Sequence, residues 1–153
     1  IPLRLVGSEM CIRDRIYAYM DFKKEVMTRE LIELAWKQGK QVAVPRVQGK
    51  DMTYYVITDF AQCEPGYFGI PEPMTGLPEA KAEDAFLIVP GVAFDRERHR
   101  VGYGQGFYDR YLSIHREHTT AAVACEWQLV EQAPYEETDI LPEYLITDCR
   151  IYH

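Results

Sequence analysis

Apolar positions change their period along the chain, and the changes mark elements. Leu31, Ile32, Leu34 and Ala35 recur at helical spacing after Thr28, a residue suited to an N-cap, and the stripe stops at Gly39, so a helix is predicted between them. Gln41-Val42-Ala43-Val44-Pro45 reads as a short strand stopped by its proline. Residues 52–57, rich in tyrosine and β-branched side chains, predict another strand after a turn at Gly49. Between Cys63 and Pro78 glycine and proline recur, which predicts a long irregular connection. Ala85-Phe86-Leu87-Ile88-Val89 is uninterrupted and apolar, as expected of a strand covered on both faces. Tyr108, Tyr111 and Leu112 have i, i+3, i+4 spacing and predict an amphipathic helix. A buried strand over residues 120–125 and a last one over 144–147 follow. Strands alternating with helices predict a single-domain α/β fold, a largely parallel Rossmann-like sheet flanked by helices, with ligands beyond the strand C-termini.

Composition narrows the function. The 153 residues fit one domain with a sizeable core, and 24 acidic against 17 basic residues give a net charge of −7. That balance argues against general binding of nucleic acid or anionic membrane, although Arg96, Arg98, His99 and Arg100 are candidates for a local basic patch. Cys11, Cys63, Cys125 and Cys149 show neither zinc nor redox spacing. With no credible secretory signal and no long apolar run, a reducing cytoplasm is expected; the chain is further expected to be a monomer. His99, His115, His118 and His153 are scattered, so a hydrolase triad is not expected.

The candidate chemistry lies in one stretch. Val89-Pro90-Gly91-Val92-Ala93-Phe94-Asp95 is followed by Arg100-Val101-Gly102-Tyr103-Gly104-Gln105-Gly106-Phe107-Tyr108-Asp109-Arg110. Glycine costs about 1 kcal/mol of chain entropy relative to alanine and lets the backbone approach a ligand closely, so three at alternate positions suggest a site. The turn opens onto the predicted helix, whose N-terminal N–H groups suit anions, and Arg98 and Arg100 lie just upstream; polyphosphate is the natural guest. Spacing rejects the dinucleotide fingerprint, because Phe107 stands where its third glycine belongs, and the Walker and protein-kinase loops fail as well. The plain alternative is a glycine-rich turn before a surface helix.

Taken whole, this stretch resembles the signature of the 5-formyltetrahydrofolate cyclo-ligase (methenyltetrahydrofolate synthetase) family. Weaker landmarks agree in order: Tyr19-Met20, Glu25-Val26-Met27-Thr28, Gly39-Lys40, Val44-Pro45 and Gly69-Ile70-Pro71-Glu72-Pro73. The resemblance implies a ligase of folate and one-carbon metabolism. On that resemblance, ATP is expected to phosphorylate the formyl oxygen of 5-formyltetrahydrofolate, and N10 then to attack the activated carbon, giving 5,10-methenyltetrahydrofolate, ADP and phosphate. It further implies ATP binding by Arg100, Val101, Gly102, Tyr103, Gly104, Gln105, Gly106, Phe107 and Tyr108, and folate binding by Met20, Glu25, Tyr103, Gly104, Gln105, Gly106 and Phe107. It implies Mg²⁺ as cofactor, held by Asp109 and Asp139. Gln105 carries no specific role, and no catalytic residue is assigned. Plainer alternatives stay open: Asp109 favouring the helix dipole, Asp139 in a solvated acidic loop with Glu136 and Glu137, and Glu25 as a helix-entry glutamate. Two other function classes also stay open, a non-catalytic nucleotide or folate binder and a sugar-phosphate-processing enzyme on a related scaffold.

The front of the chain departs from the resemblance. Family members begin with a helical segment whose lysine and arginine, four residues apart, reach the substrates, and this chain lacks it. Met10-Cys11-Ile12-Arg13-Asp14-Arg15 instead reads like a translated transposase adapter from DNA library preparation. Residues 1–15 are therefore expected to be a foreign leader, and residues 16–153 a cyclo-ligase domain without its N-terminal helical segment. The alternative is a divergent native start in which Arg4, Arg13 or Arg15 replaces the missing cations.

Overall fold

The computed structural model describes residues 13–23, 25–81, 84–103 and 105–153. In chain order the elements are β1 (Arg15–Tyr17), α1 (Arg29–Lys37), β2 (Gln41–Gln48), β3 (Asp51–Ile57), β4 (Cys63–Pro65), β5 (Pro71–Pro73), β6 (Phe86–Val89), β7 (Ala93–Phe94), β8 (Arg100–Val101), α2 (Phe107–Ile114), β9 (Thr119–Val123), β10 (Tyr144–Ile146) and β11 (Ile151–Tyr152). Seven strands form one sheet in the order β11-β10-β9-β6-β1-β2-β3. The five inner strands are parallel, and β3 and β11 close the edges antiparallel. The expected α/β class and the largely parallel sheet are both present.

Strand periodicity divides the core in two. Ile16, Val42, Val44, Phe86, Ile88, Ala121, Val123 and Ile146 face α1, which contributes Leu31, Ile32 and Ala35. Tyr17, Ala43, Leu87, Val89, Ala122 and Leu145 face the other way, towards Leu112 of α2. Each Val, Leu, Ile or Phe side chain buried in these layers is worth about 1.5–3 kcal/mol.

Several sequence expectations change. Thr28 occupies the N-cap of α1, yet its side chain makes no cap hydrogen bond there. Its hydroxyl instead donates to Tyr19 O at 2.6 Å, tying the β1 exit to the helix. Pro45 does not stop β2, which runs on to Gln48 and pairs throughout with β3. Ala43 O accepts from Ala18 N, so residues 43, 45 and 47 present their backbone groups towards β1. Strand β1 has ended by that level, and the missing N–H of Pro45 therefore faces an open edge. The stretch expected to be irregular contains an antiparallel hairpin, β4–β5. The short strands β7, β8 and β11, and β1 itself, were not anticipated; β1 is the strand between β6 and β2.

Candidate active site

A cavity of about 570 Å³ opens over the C-terminal ends of the parallel strands. Its walls include the β1 exit with Tyr19, Met20, Phe22 and Glu25; Pro45, Val47 and Met52 of β2 and β3; the β4–β5 hairpin; Pro90 beyond β6; the glycine turn between β8 and α2; and a loop carrying Pro134, Tyr135, Glu136 and Asp139. Every described residue with an expected ATP, folate or metal role lines this one cavity. Gly104 lies outside the described residues.

The glycine turn is shaped by its neighbours. Gly106 is the N-cap of α2 at φ +67, a left-handed conformation that disfavours a side chain. A Cβ on Gly102 would approach an Arg100 terminal nitrogen to 3.0 Å, so the absent side chain leaves room for the guanidinium. The Arg100 side chain is 11% exposed. One terminal nitrogen donates to Pro90 O at 3.3 Å, the other stands 3.8 Å from Asp109 Oδ1, and the buried Nε has no hydrogen-bond partner among the described residues. A buried donor left unpaired costs about 1–3 kcal/mol, so an acceptor on a ligand is the natural completion.

The β1 exit loop is stapled into place. Tyr19 OH donates to Val26 O at 2.6 Å, Thr28 N donates to Asp21 at 3.2 Å, and Phe22 N donates to Glu25 Oε1 at 2.8 Å. Burial pushes the Glu25 carboxyl up to about 7; Asp21 adds to the rise, while the Phe22 N–H and Arg100 oppose it. Near neutral pH this carboxyl can therefore accept or donate a hydrogen bond, which suits a ring edge presenting both donors and acceptors.

Asp109 and Asp139 come from segments thirty residues apart in sequence and meet on the acidic side of the cavity. Asp109 Oδ1 accepts from Ile140 N at 3.0 Å, and Asp139 Oδ2 accepts from Glu136 N at 3.0 Å. Each bond fixes one oxygen and leaves the other without a protein partner among the described residues. Glu25, Glu72 and Glu136 also line the cavity, against the single guanidinium of Arg100 among its described charged residues. This excess of oxygen donors fits Mg²⁺, which takes one or two carboxylates together with phosphate oxygens.

Sequence reasoning missed the β4–β5 wall as part of the site. Val47 N donates to Glu72 Oε2 at 2.9 Å and Arg46 Nε donates to Pro73 O at 2.9 Å, docking the hairpin beside β2. It brings Tyr67 and Phe68 to the cavity, where the Tyr67 and Phe107 rings meet edge to face at 5.6 Å and Phe68 stacks on Phe22 at 6.3 Å. The cluster of aromatic, glycine and proline residues between Gly66 and Pro73 was the available signal.

Of the candidates for a local basic patch only Arg96 is exposed: Arg98 donates to Pro142 O at 2.9 Å and is absent from the cavity lining, His99 is buried, and Arg100 turns inward. Nor do Arg13 and Arg15 supply cations to the cavity. Arg13 bonds Asp84 at 2.7 Å and Thr119 at 2.8 Å, before the starts of β6 and at the start of β9, and Arg15 opens β1 at the same end. That end is opposite to the cavity; Arg4 lies outside the described residues. His115, Glu117 and His118 gather ligand atoms within 4.8 Å of one another, also far from the glycine turn along α2. Ala85 N donates to His118 Nδ1 at 3.1 Å, so the ring proton sits on Nε2 and neither nitrogen offers a lone pair to a metal without breaking that bond.

The family model for the 5-formyltetrahydrofolate cyclo-ligase family matches residues 6–147. The 5-formyltetrahydrofolate cyclo-ligase of Escherichia coli is 31% identical over 146 residues, covering 90% of this chain and 79% of the relative. A probable 5-formyltetrahydrofolate cyclo-ligase of Schizosaccharomyces pombe is 39% identical over 101 residues, which cover 62% of this chain and half (50%) of the relative. Among solved structures, the 5,10-methenyltetrahydrofolate synthetase of Aquifex aeolicus superposes with a TM-score of 0.83 at 30% identity, covering 98% of this chain and 77% of that one. The synthetase of Mycoplasma pneumoniae, at 16% identity and a TM-score of 0.68, shares the fold. With the match spanning nearly the whole chain and the signature residues gathered on one cavity, the chain belongs to the 5-formyltetrahydrofolate cyclo-ligase family, a family of ligases.

Proposed function

We propose that the chain catalyses the ATP-dependent closure of 5-formyltetrahydrofolate to 5,10-methenyltetrahydrofolate. The observation that carries this reading is the convergence of the signature on one cavity around Arg100, a largely buried side chain whose Nε has no hydrogen-bond partner among the described residues. The γ-phosphoryl group passes from ATP to the formyl oxygen, releasing ADP. The N10 lone pair then attacks the formyl carbon, N10 gives up its proton, and phosphate departs with the former formyl oxygen. The amide-like oxygen is a poor leaving group until phosphorylated, so the protein's main tasks are alignment and charge stabilisation.

Arg100 and the N–H groups of the glycine turn receive phosphate oxygens. Glu25 holds the pterin edge through paired hydrogen bonds, Met20 lines the cavity from the same β1 exit, and the rings of Tyr67, Phe68 and Phe107 wall the planar part of the substrate while limiting water. Asp109 and Asp139 are the residues that would hold Mg²⁺, which when bound neutralises charge on the transferring phosphoryl group. A soluble monomer acting in the cytoplasm is consistent with this chemistry; among the described residues no helix is long and apolar enough to cross a membrane.

The test is the growth of the methenyl absorbance band on mixing protein with 5-formyltetrahydrofolate. Growth that requires both ATP and Mg²⁺ supports the reading. A flat trace, or growth independent of ATP, overturns it.

A further inference from the structure

We infer that Asp95 and His99 are positioning residues that brace the acidic wall of the cavity and so set Asp139 opposite Asp109. This rests on the reading of that wall as the metal and phosphate side of the site. Neither residue lines the cavity, and both are buried.

Asp95 directly follows β7 with every in-plane acceptor site used. Its Oδ1 accepts from Glu97 N and His99 N, both at 3.0 Å, and its Oδ2 accepts from Ala133 N at 3.0 Å and His99 Nδ1 at 2.9 Å. Burial pushes the carboxyl up, but the bonds from Ala133 and His99 outweigh it and hold the carboxyl below its ordinary value. Ala133 is where the acidic wall begins. Pro134, Tyr135, Glu136 and Asp139 follow it along the cavity. The His99 ring lies flat on Tyr135, with centroids 3.8 Å apart and planes 9° from parallel. Beyond Tyr135 a turn closes through Glu136 N to Asp139 Oδ2 and Asp139 N to Glu136 O, each at 3.0 Å.

The carboxylate thus fixes the entry to the wall, the imidazole fixes its first exposed ring, and the turn hands that position on to Asp139. Strands β7 and β8 pair antiparallel across the Asp95–His99 turn, and β8 begins at Arg100, so one piece of chain sets both the cation and the acidic wall facing it. Glu97, whose carboxylate lies 3.9 Å from His99 Nδ1, is exposed and contributes little to the brace.

His99→Leu removes both the ring and the donor. His99→Asn keeps an amide able to donate to Asp95 and removes the stacking surface. Amide hydrogen exchange is read at Ala133, Tyr135 and Glu136 in the full chain, alongside half-saturating Mg²⁺ in turnover and the dissociation constant of 5-formyltetrahydrofolate. In His99→Leu, exchange at these amides accelerates about tenfold, half-saturating Mg²⁺ rises about tenfold, and folate affinity stays within about twofold. His99→Asn restores slow exchange at Ala133 and leaves Tyr135 fast. Unchanged exchange in His99→Leu, uniform acceleration across the whole chain, or folate affinity lost in step with Mg²⁺ would each overturn the proposal. If the wild type turns over no substrate, the functional reading fails while the exchange pattern still decides the brace.

Discussion

Arg13 and Arg100 stand at opposite ends of the same parallel strands, and the fold treats them oppositely. Arg13 finds Asp84 and Thr119 at hydrogen-bond distance, and its own carbonyl accepts from the Lys40 ammonium. These contacts stitch together the starts of β2, β6 and β9 and leave that charge satisfied. Arg100 is more deeply buried, and among the described residues its nearest carboxylate is 3.8 Å away and its Nε is unpaired. Burial normally demands better pairing, so the inversion marks the end of the sheet where a ligand completes the structure. A similar contrast separates the carboxylates: Asp95 has all its acceptor positions filled, whereas Asp109 and Asp139 each commit one oxygen.

The strongest way to break this comparison is to remove its anion-facing member. Arg100→Met should lower ATP-dependent turnover by about 10²–10³-fold with a near-native melting temperature, since the lost donors act on charge that develops during transfer. Loss below about tenfold would make Arg100 as structural as Arg13. Next, Asp109→Asn retains an oxygen able to accept from Ile140 N, so folding should survive while Mg²⁺-dependent turnover falls by about 10²-fold. Unchanged activity removes Asp109 from the metal role and leaves it a loop anchor.

A smaller effect tests Glu25. Its folded pKa of about 7 lies above the ordinary 4.5, so the native state holds this proton more tightly than the unfolded chain does. Ionisation therefore costs native stability as pH rises from 4.5 to about 7. Relative to Glu25→Gln, which cannot ionise, the wild type should lose about 1–2 kcal/mol between pH 4 and pH 8, a figure reduced for the solvent the carboxyl still sees. Urea denaturation of both proteins at the two pH values reads the difference, and parallel stability across that range would contradict the buried position. Smallest of all, Arg13→Met should cost less than about 1 kcal/mol and leave the turnover number unchanged, because its ion pair is exposed and remote from the cavity. A large drop in turnover would mean that the two ends of the sheet are coupled.

Contiguous features were readable before any coordinates. The apolar run at 85–89, the stripe in α1, the glycine turn and the helix behind it depend on neighbours within a few positions, and their periodicity or chirality is local. Short strands were not: β1, β7, β8 and β11 have two or three residues each and show no period of their own. Pro45 misled for a related reason. A proline stops a strand only if its missing donor faces a partner, and that depends on where β1 ends.

The signature placed Arg100, Asp109 and the glycine turn together because chain connectivity leaves them no other choice. Residues from distant segments joined them only through packing: Glu25 from the β1 exit, Tyr67 and Phe68 from a hairpin docked on β2, and Asp139 from a loop held by Asp95, His99 and Asp109. Local sequence specifies backbone conformation and the chemistry of each group. Which groups remain unpaired, and therefore available to a ligand, is a property of their surroundings after the chain has closed around them.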